Sequence, residues 1–187
     1  MDANSGKEKE IWNSFRKGEP RALAIIFQKY YASLYNFAFT ICHNEELVKD
    51  SIQELFVYLW EKRNTLAEVN SVRLYLITAL RRTLLKAVNK QKIESEKNKT
   101  LNNEWPEEAF SAQDLIIFKE QDEQVKNKLK EALNQIPSRM REALYLKTYD
   151  NFSYQEISKI MNISPQVARN YVFQALQRLR KILSKPL

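Results

Sequence analysis

The stretch Asn151–Lys181, NFSYQEISKIMNISPQVARNYVFQALQRLRK, sets a proline, Pro165, inside what otherwise reads as one long helical pattern. Ser153 and Glu156 stand three apart, the spacing of a capping box. The serine hydroxyl can accept from the Glu156 backbone N–H while the carboxylate accepts from the N–H of Ser153. A helix therefore starts at about Tyr154 and buries Ile157, Ile160 and Met161. Asn162 tolerates the left-handed conformation that a helix stop needs, where glycine is commoner. Ser164 is then an N-cap, and Pro165 sits at the first helical position, where its missing N–H costs nothing and its fixed φ helps. The proline starts a second helix and does not break the first.

In that second helix Ala168, Val172, Ala175, Leu179 and Leu183 fall on one face and are expected to pack inward. Gln166, Val167, Arg169, Asn170, Phe173 and Gln174 lie on or beside the opposite face, with Ser164 at the helix start. Two short helices with a tight turn, the second presenting Arg, Asn and Gln outward, describe a helix-turn-helix, whose second helix enters the major groove. Arg suits guanine there and Asn or Gln suits adenine, because their forked donors and acceptors match the base edges; Phe173 could meet a thymine methyl. The alternative is an αα corner inside a bundle. A C-terminus holding Arg169, Arg178, Arg180, Lys181 and Lys185 and no acid favours the first reading, since phosphate contacts position such helices.

The rest of the chain agrees with an all-α protein. Two glycines and five prolines in 187 residues leave few turn residues for sheets. Leu23, Ile26, Phe27, Tyr30, Leu34, Phe37 and Ile41 form one helical stripe. A second follows "CHNEE" with Val48, Ile52, Leu55, Phe56, Leu59 and Trp60. A third holds Leu74, Ile77, Leu80, Leu84 and Val88. With a flank at Ile11–Phe15 these make an N-terminal module. A second module carries Val125, Leu129, Leu133 and Ile136 up to Pro137, then a helix over Arg139–Tyr149. The expected division is a domain over 8–93, an acidic and polar linker over 94–113 and a domain over 114–187.

The net charge of +7 is unevenly spread. Arg81, Arg82, Lys86, Lys90, Lys92, Lys97 and Lys99 make one basic run, Glu104 to Glu123 reverses the sign, and the C-terminus is basic again. The pattern suggests two polyanion-facing surfaces joined by a connector. No run approaches the roughly 18 apolar residues of a membrane span. The polar start and the single cysteine, Cys42, suit a soluble protein of the reducing cytoplasm.

The segment "ALNQIPSRMREALYLKTYDNFSYQEISKIMNISPQVARNYVFQALQRLRKIL" resembles the promoter-reading C-terminal domain of extracytoplasmic-function sigma factors. "NEELVKDSIQELFVYLW" resembles their polymerase-docking helix, with Asp50, Gln53, Glu54, Phe56 and Trp60 in matching places. "SVRLYLITALRRTLLKAVNKQK" resembles their DNA-opening helix. The resemblance implies two helical domains that bind core RNA polymerase and promoter DNA and help melt it, with no cofactor and no catalysis. It further implies an anti-sigma partner, no membrane insertion, and a monomer when free.

On that resemblance an extruded base would be held by the loop Asn64–Ser71 and the helix start after it, where Asn64, Asn70 and Tyr75 offer stacking and edge hydrogen bonds. Arg81, Arg82, Lys86 and Lys90 would grip the phosphates. The chain departs from the family pattern at Tyr75, where tryptophan is frequent, and at Leu80-Arg81-Arg82, where Ala-Arg-Asn is common. Asn162 replaces a turn glycine, and Tyr171 stands where a basic residue is frequent.

Two rivals follow from the residues. The adjacent Cys42 and His43 could form an activated thiolate, yet neighbours on a helix point about 100° apart. No glycine-rich phosphate loop or metal-ligand spacing accompanies them. A dimeric helix-turn-helix regulator is the other, but a sensor domain has no need of a basic, aromatic third helix.

Overall fold

Two compact units, Met1–Thr100 and Leu101–Leu187, divide the chain. The computed structural model describes residues 3–97 and 123–184, and every regular element among them is helical. Most of the expected linker lies outside the described residues, as do the start of the second module and the side chain of Val125. Residues 94–97, assigned to that linker, instead complete a helix.

The first unit holds α1 (Ala3–Arg16), α2 (Pro20–Ile41), α3 (Glu45–Lys62), a 3-10 turn at Arg63–Thr65, and α4 (Val72–Lys97). Gly18 joins α1 to α2 with φ at +93°, a backbone state that side chains disfavour, and Pro20 then opens α2 at its first position. Asn44 caps α3 by accepting from the Leu47 N–H at 3.0 Å, and Glu45 and Glu46 lie at the positive end of its dipole. Ser71 accepts from the Leu74 N–H at 3.2 Å and caps α4 in the same way.

The core joins Trp12 and Phe15 to Ile26, Leu34 and Phe37, to Val48, Ile52, Leu55 and Leu59, and to Leu76, Ile77, Leu80 and Leu84. The predicted stripes are right in period and slightly off in phase. Phe27 is exposed, Leu74 is half-buried, and Leu76 takes the core position. The flank around Ile11–Phe15 proves to be a full helix that buries Trp12 and Phe15 and leaves Ile11 half-buried.

The second unit holds α5 (Glu123–Asn134), α6 (Ser138–Thr148), α7 (Tyr154–Met161) and α8 (Pro165–Leu183). The capping box forms as read: Ser153 Oγ accepts from the Glu156 N–H at 3.3 Å and Glu156 Oε2 accepts from the Ser153 N–H at 2.8 Å. Such a cap contributes about 0.5–2 kcal/mol. Asn162 ends α7 at φ 52°, ψ 56°, its N–H donating to the Ser158 carbonyl. Asn151 uses the same left-handed state, φ 55°, to turn the chain between α6 and α7.

α8 packs against α5, α6 and α7 through Ala168, Val172 and Ala175. Leu179 is half-buried, and Leu183, expected inside, is 48% exposed. Length explains it. At about 1.5 Å per residue, the 19-residue α8 outruns its described partners of 12, 11 and 8 residues.

Candidate nucleic-acid interface

Ser164 caps α8 by accepting from the Val167 N–H at 3.2 Å, and Pro165 follows at the first helical position. This fixes the phase of the helix. Gln166, Arg169, Asn170, Phe173 and Gln174 are exposed, and Val167 is half-buried. Phe173 keeps 59% of its surface in solvent, a large apolar group that no described residue of its unit covers. Gln166 donates through Nε2 to Asn170 Oδ1 at 3.1 Å, joining two amides one turn apart. The Arg169 guanidinium lies 5.3 Å from the centre of the Tyr154 ring, and Lys147 Nζ lies 5.0 Å from the same ring. Tyr154 was read only as part of a cap. Its position at the first residue of α7 also lets it brace Arg169 of α8, and nothing local in the sequence signals that.

In the first unit α3 exposes Asp50, Gln53 and Glu54 as expected. Phe56 is corrected. It is 7% exposed and packs edge-on against Phe27, ring centres 4.9 Å apart, so it belongs to the core. One residue further round, Val57 and Tyr58 are 50% and 48% exposed and supply the apolar part of that face. Trp60 is half-buried and carries the Arg63 guanidinium 4.4 Å from its ring.

α4 sorts its basic residues in the same manner. Arg82, Lys86 and Lys90 are exposed and stand at successive fourth positions, one row along the helix. Arg81, expected in that row, is 8% exposed and turned into the bundle. A step of one residue is about 100° of rotation, which separates the buried arginine from its exposed neighbour.

A groove between α3 and α4 brings these groups together. One part, of about 300 Å³, is lined by Glu54, Tyr58, Tyr75, Thr78, Arg82 and Lys86 among others. A second, of about 470 Å³, is lined by Asp50, Glu54, Thr83, Lys86 and Lys90 among others. Acidic side chains of α3 form one wall and the cation row of α4 the other. Tyr75 is half-buried, its ring edge-on to Trp12 at 5.3 Å. Burial raises its phenol pKa, with the neighbouring Tyr58 adding to the rise and Arg82 opposing it. Asn64 and Asn70 are exposed at the two ends of the loop that leads to α4. His43 and Cys42 are half-buried, the imidazole edge-on to Phe39 at 5.4 Å. No group of metal-ligating side chains, and no helix long and apolar enough to cross a membrane, occurs among the described residues.

Comparison with known proteins agrees with this arrangement. Residues 26–93 match the family model for sigma-70 region 2, and residues 126–179 that for sigma-70 region 4. The chain is 26% identical over 160 residues to the ECF RNA polymerase sigma factor SigM of Bacillus subtilis (strain 168), covering 86% of this chain and 94% of that one. It is 24% identical over 168 residues to the RNA polymerase sigma factor YlaC of the same organism, covering 86% and 91%. Its fold is similar to that of the sigma factor RpoE solved with the anti-sigma factor NepR from Bartonella quintana, at a TM-score of 0.67, 21% identity and coverage of 89% and 97%. It is also similar to CnrH solved with the cytosolic domain of CnrY, at a TM-score of 0.64, 15% identity and coverage of 94% and 96%. With both regions present in the family's order across most of its length, the chain belongs to the sigma-70 family, in its extracytoplasmic-function branch, and is a non-enzymatic factor that directs RNA polymerase to promoters for the initiation of transcription.

Proposed function

We propose a division of labour between the two units. The second unit, in the role assigned to 114–187, reads the upstream promoter element through Arg169, Asn170, Gln166, Gln174 and Phe173, with Ser164 and Val167 at the backbone. In the first unit, 8–93, the α3 face of Asp50, Gln53, Glu54 and Val57, with Trp60 at its end, docks on core polymerase. Arg82, Lys86 and Lys90 hold the phosphates of the opening strand, and Asn64, Asn70 and Tyr75 receive the extruded base. The observation that carries this reading is the groove: Glu54 and Lys86 line both of its parts. A docking wall and a strand-holding wall therefore share one cleft, as a factor that opens DNA beside the enzyme requires.

The reading extends to partners and place. An anti-sigma protein holds the factor off, as NepR and the cytosolic domain of CnrY are bound to the two solved neighbours. The free chain is monomeric and works in the cytoplasm. The test is transcription by core polymerase with the added chain on a library of random promoters. Enrichment of two separated elements is expected, with Arg169→Ala and Asn170→Ala relaxing the upstream one alone by roughly 1–3 kcal/mol per lost base contact. Enrichment left intact by both substitutions overturns the assignment of α8 as the reader.

A further inference from the structure

The loop between the 3-10 turn and α4 has few backbone partners of its own, and its carbonyl groups need hydrogen-bond donors. α1 supplies them from far away in sequence. The Trp12 indole N–H donates to the Ala67 carbonyl at 3.1 Å, and Arg16 Nε donates to the Leu66 carbonyl at 2.6 Å. Arg16 also pairs with Glu68 at 3.6 Å while an N–H of the same guanidinium donates to Asn13 at 3.2 Å. That second bond holds the fork in line with the helix that bears it. Trp12 reaches the far end of the loop as well, since its ring meets the Tyr75 ring in the first turn of α4. The indole therefore touches both the middle of the segment flanked by Asn64 and Asn70 and the first turn of the helix that follows it.

We propose that Trp12 and Arg16 are positioning residues for strand opening: by holding Leu66, Ala67 and Tyr75, α1 sets the shape of the loop that receives the extruded base. The inference rests on the reading that this loop is the receiver, and it adds a part of the chain that neither family match covers, since the region 2 match begins at residue 26. Two anchors on adjacent carbonyls act as a clamp. Removing the Arg16 bond frees the peptide plane between Leu66 and Ala67, and removing the Trp12 bond frees the next one, between Ala67 and Glu68; either change alters the cavity a base must fit without unfolding the unit. Such a loop still opens DNA, but more slowly and with less choice of base.

The experiment uses the full chain assembled with core polymerase. Trp12→Phe keeps the ring and its edge contact with Tyr75 and removes only the N–H. Arg16→Gln removes the fork, and Arg16→Lys returns a single donor. Opening is followed by 2-aminopurine fluorescence in the downstream element, base preference by transcription from templates varied there, and the upstream footprint in parallel. Trp12→Phe and Arg16→Gln are expected to slow opening about tenfold, the effect of roughly one hydrogen bond, and to flatten preference at one position. The upstream footprint and polymerase capture stay at the wild-type level, and Arg16→Lys recovers part of the loss.

Opening and preference both unchanged in Arg16→Gln overturn the proposal. So does a footprint that declines together with opening, which is the mark of general destabilisation. Should Trp12→Phe lower the melting temperature, the Arg16 variants carry the test, since that side chain is already 28% exposed. Asn64→Ala and Asn70→Ala on the same templates separate the two readings. An effect there without one in the α1 variants refutes the clamp alone, and no effect in either set refutes the loop as receiver.

Discussion

Arg169 of α8 rests over the ring of Tyr154 of α7, 5.3 Å from guanidinium carbon to ring centre. A long, rotamer-rich side chain is thereby held partly in place before DNA arrives. An exposed cation–π contact contributes about 0.5–1 kcal/mol. Tyr154→Leu should therefore cost about two- to fivefold in discrimination at the base that Arg169 reads, while Tyr154→Phe keeps most of it. Competition between promoter variants in runoff transcription measures both.

Arg81 and Arg82 are neighbours with opposite fates. Arg82→Ala should reduce the salt dependence of DNA binding, lowering the slope of log K against log salt by about 0.7–0.9 for one lost phosphate contact. Arg81→Ala should leave that slope alone and lower the urea midpoint of the first unit, because it empties a buried position. Salt titrations of holoenzyme binding, set beside urea unfolding, distinguish the two.

Phe56 and Val57 make a second such pair on α3. Phe56→Ala removes a buried ring and should destabilise by about 3–5 kcal/mol. Val57→Asp leaves the core untouched and puts a charge into the face proposed for docking, so it should weaken capture of core polymerase about tenfold or more with the melting curve unchanged. Gln53→Ala combined with Glu54→Ala should act on capture in the same sense.

Glu8 ties α1 to α2, accepting from Lys29 Nζ at 2.6 Å and from the Tyr30 hydroxyl. Burial alone would push its pKa up. The hydrogen bonds from Lys29 and Tyr30, with the attraction of Lys29 and Arg73, outweigh that and hold it below the ordinary carboxylate value. A carboxyl with a lowered folded pKa adds stability that is complete above its unfolded value of about 4.3 and fades as pH falls through the folded one. Wild type should thus exceed Glu8→Gln in stability at pH 7, and the gap should narrow as the pH falls below the unfolded value, as read by urea unfolding across an acid series.

What the sequence disclosed follows the range of the interactions involved. Ser153 with Glu156, Asn162, and Ser164 with Pro165 act across three or four residues, and each was read correctly, cap by cap. Helical periods were legible too, so the hydrophobic stripes fell on real helices. Phase was legible less completely, because a shift of one residue is 100° of rotation and depends on what packs opposite. Arg81 placed beside Arg82 in the exposed row, Phe56 counted in the docking face as well as the stripe, and Leu74 taken for the core where Leu76 sits are all errors of that kind. The contacts of Trp12 and Arg16 cross 50 to 55 positions and leave no local trace, and the brace of Tyr154 under Arg169 joins two helices that pattern alone cannot orient.

Arg82 and Lys90 are eight residues apart, or about 12 Å along the axis of α4. One strand of a duplex advances that far in three to four phosphates. On the proposed reading, a strip so short releases about three counterions and loses about fortyfold in affinity between 50 and 200 mM salt. Its grip suits a handrail better than an anchor: firm enough to guide a strand that the carrier enzyme has already brought close, and weak enough to let go when the enzyme moves on.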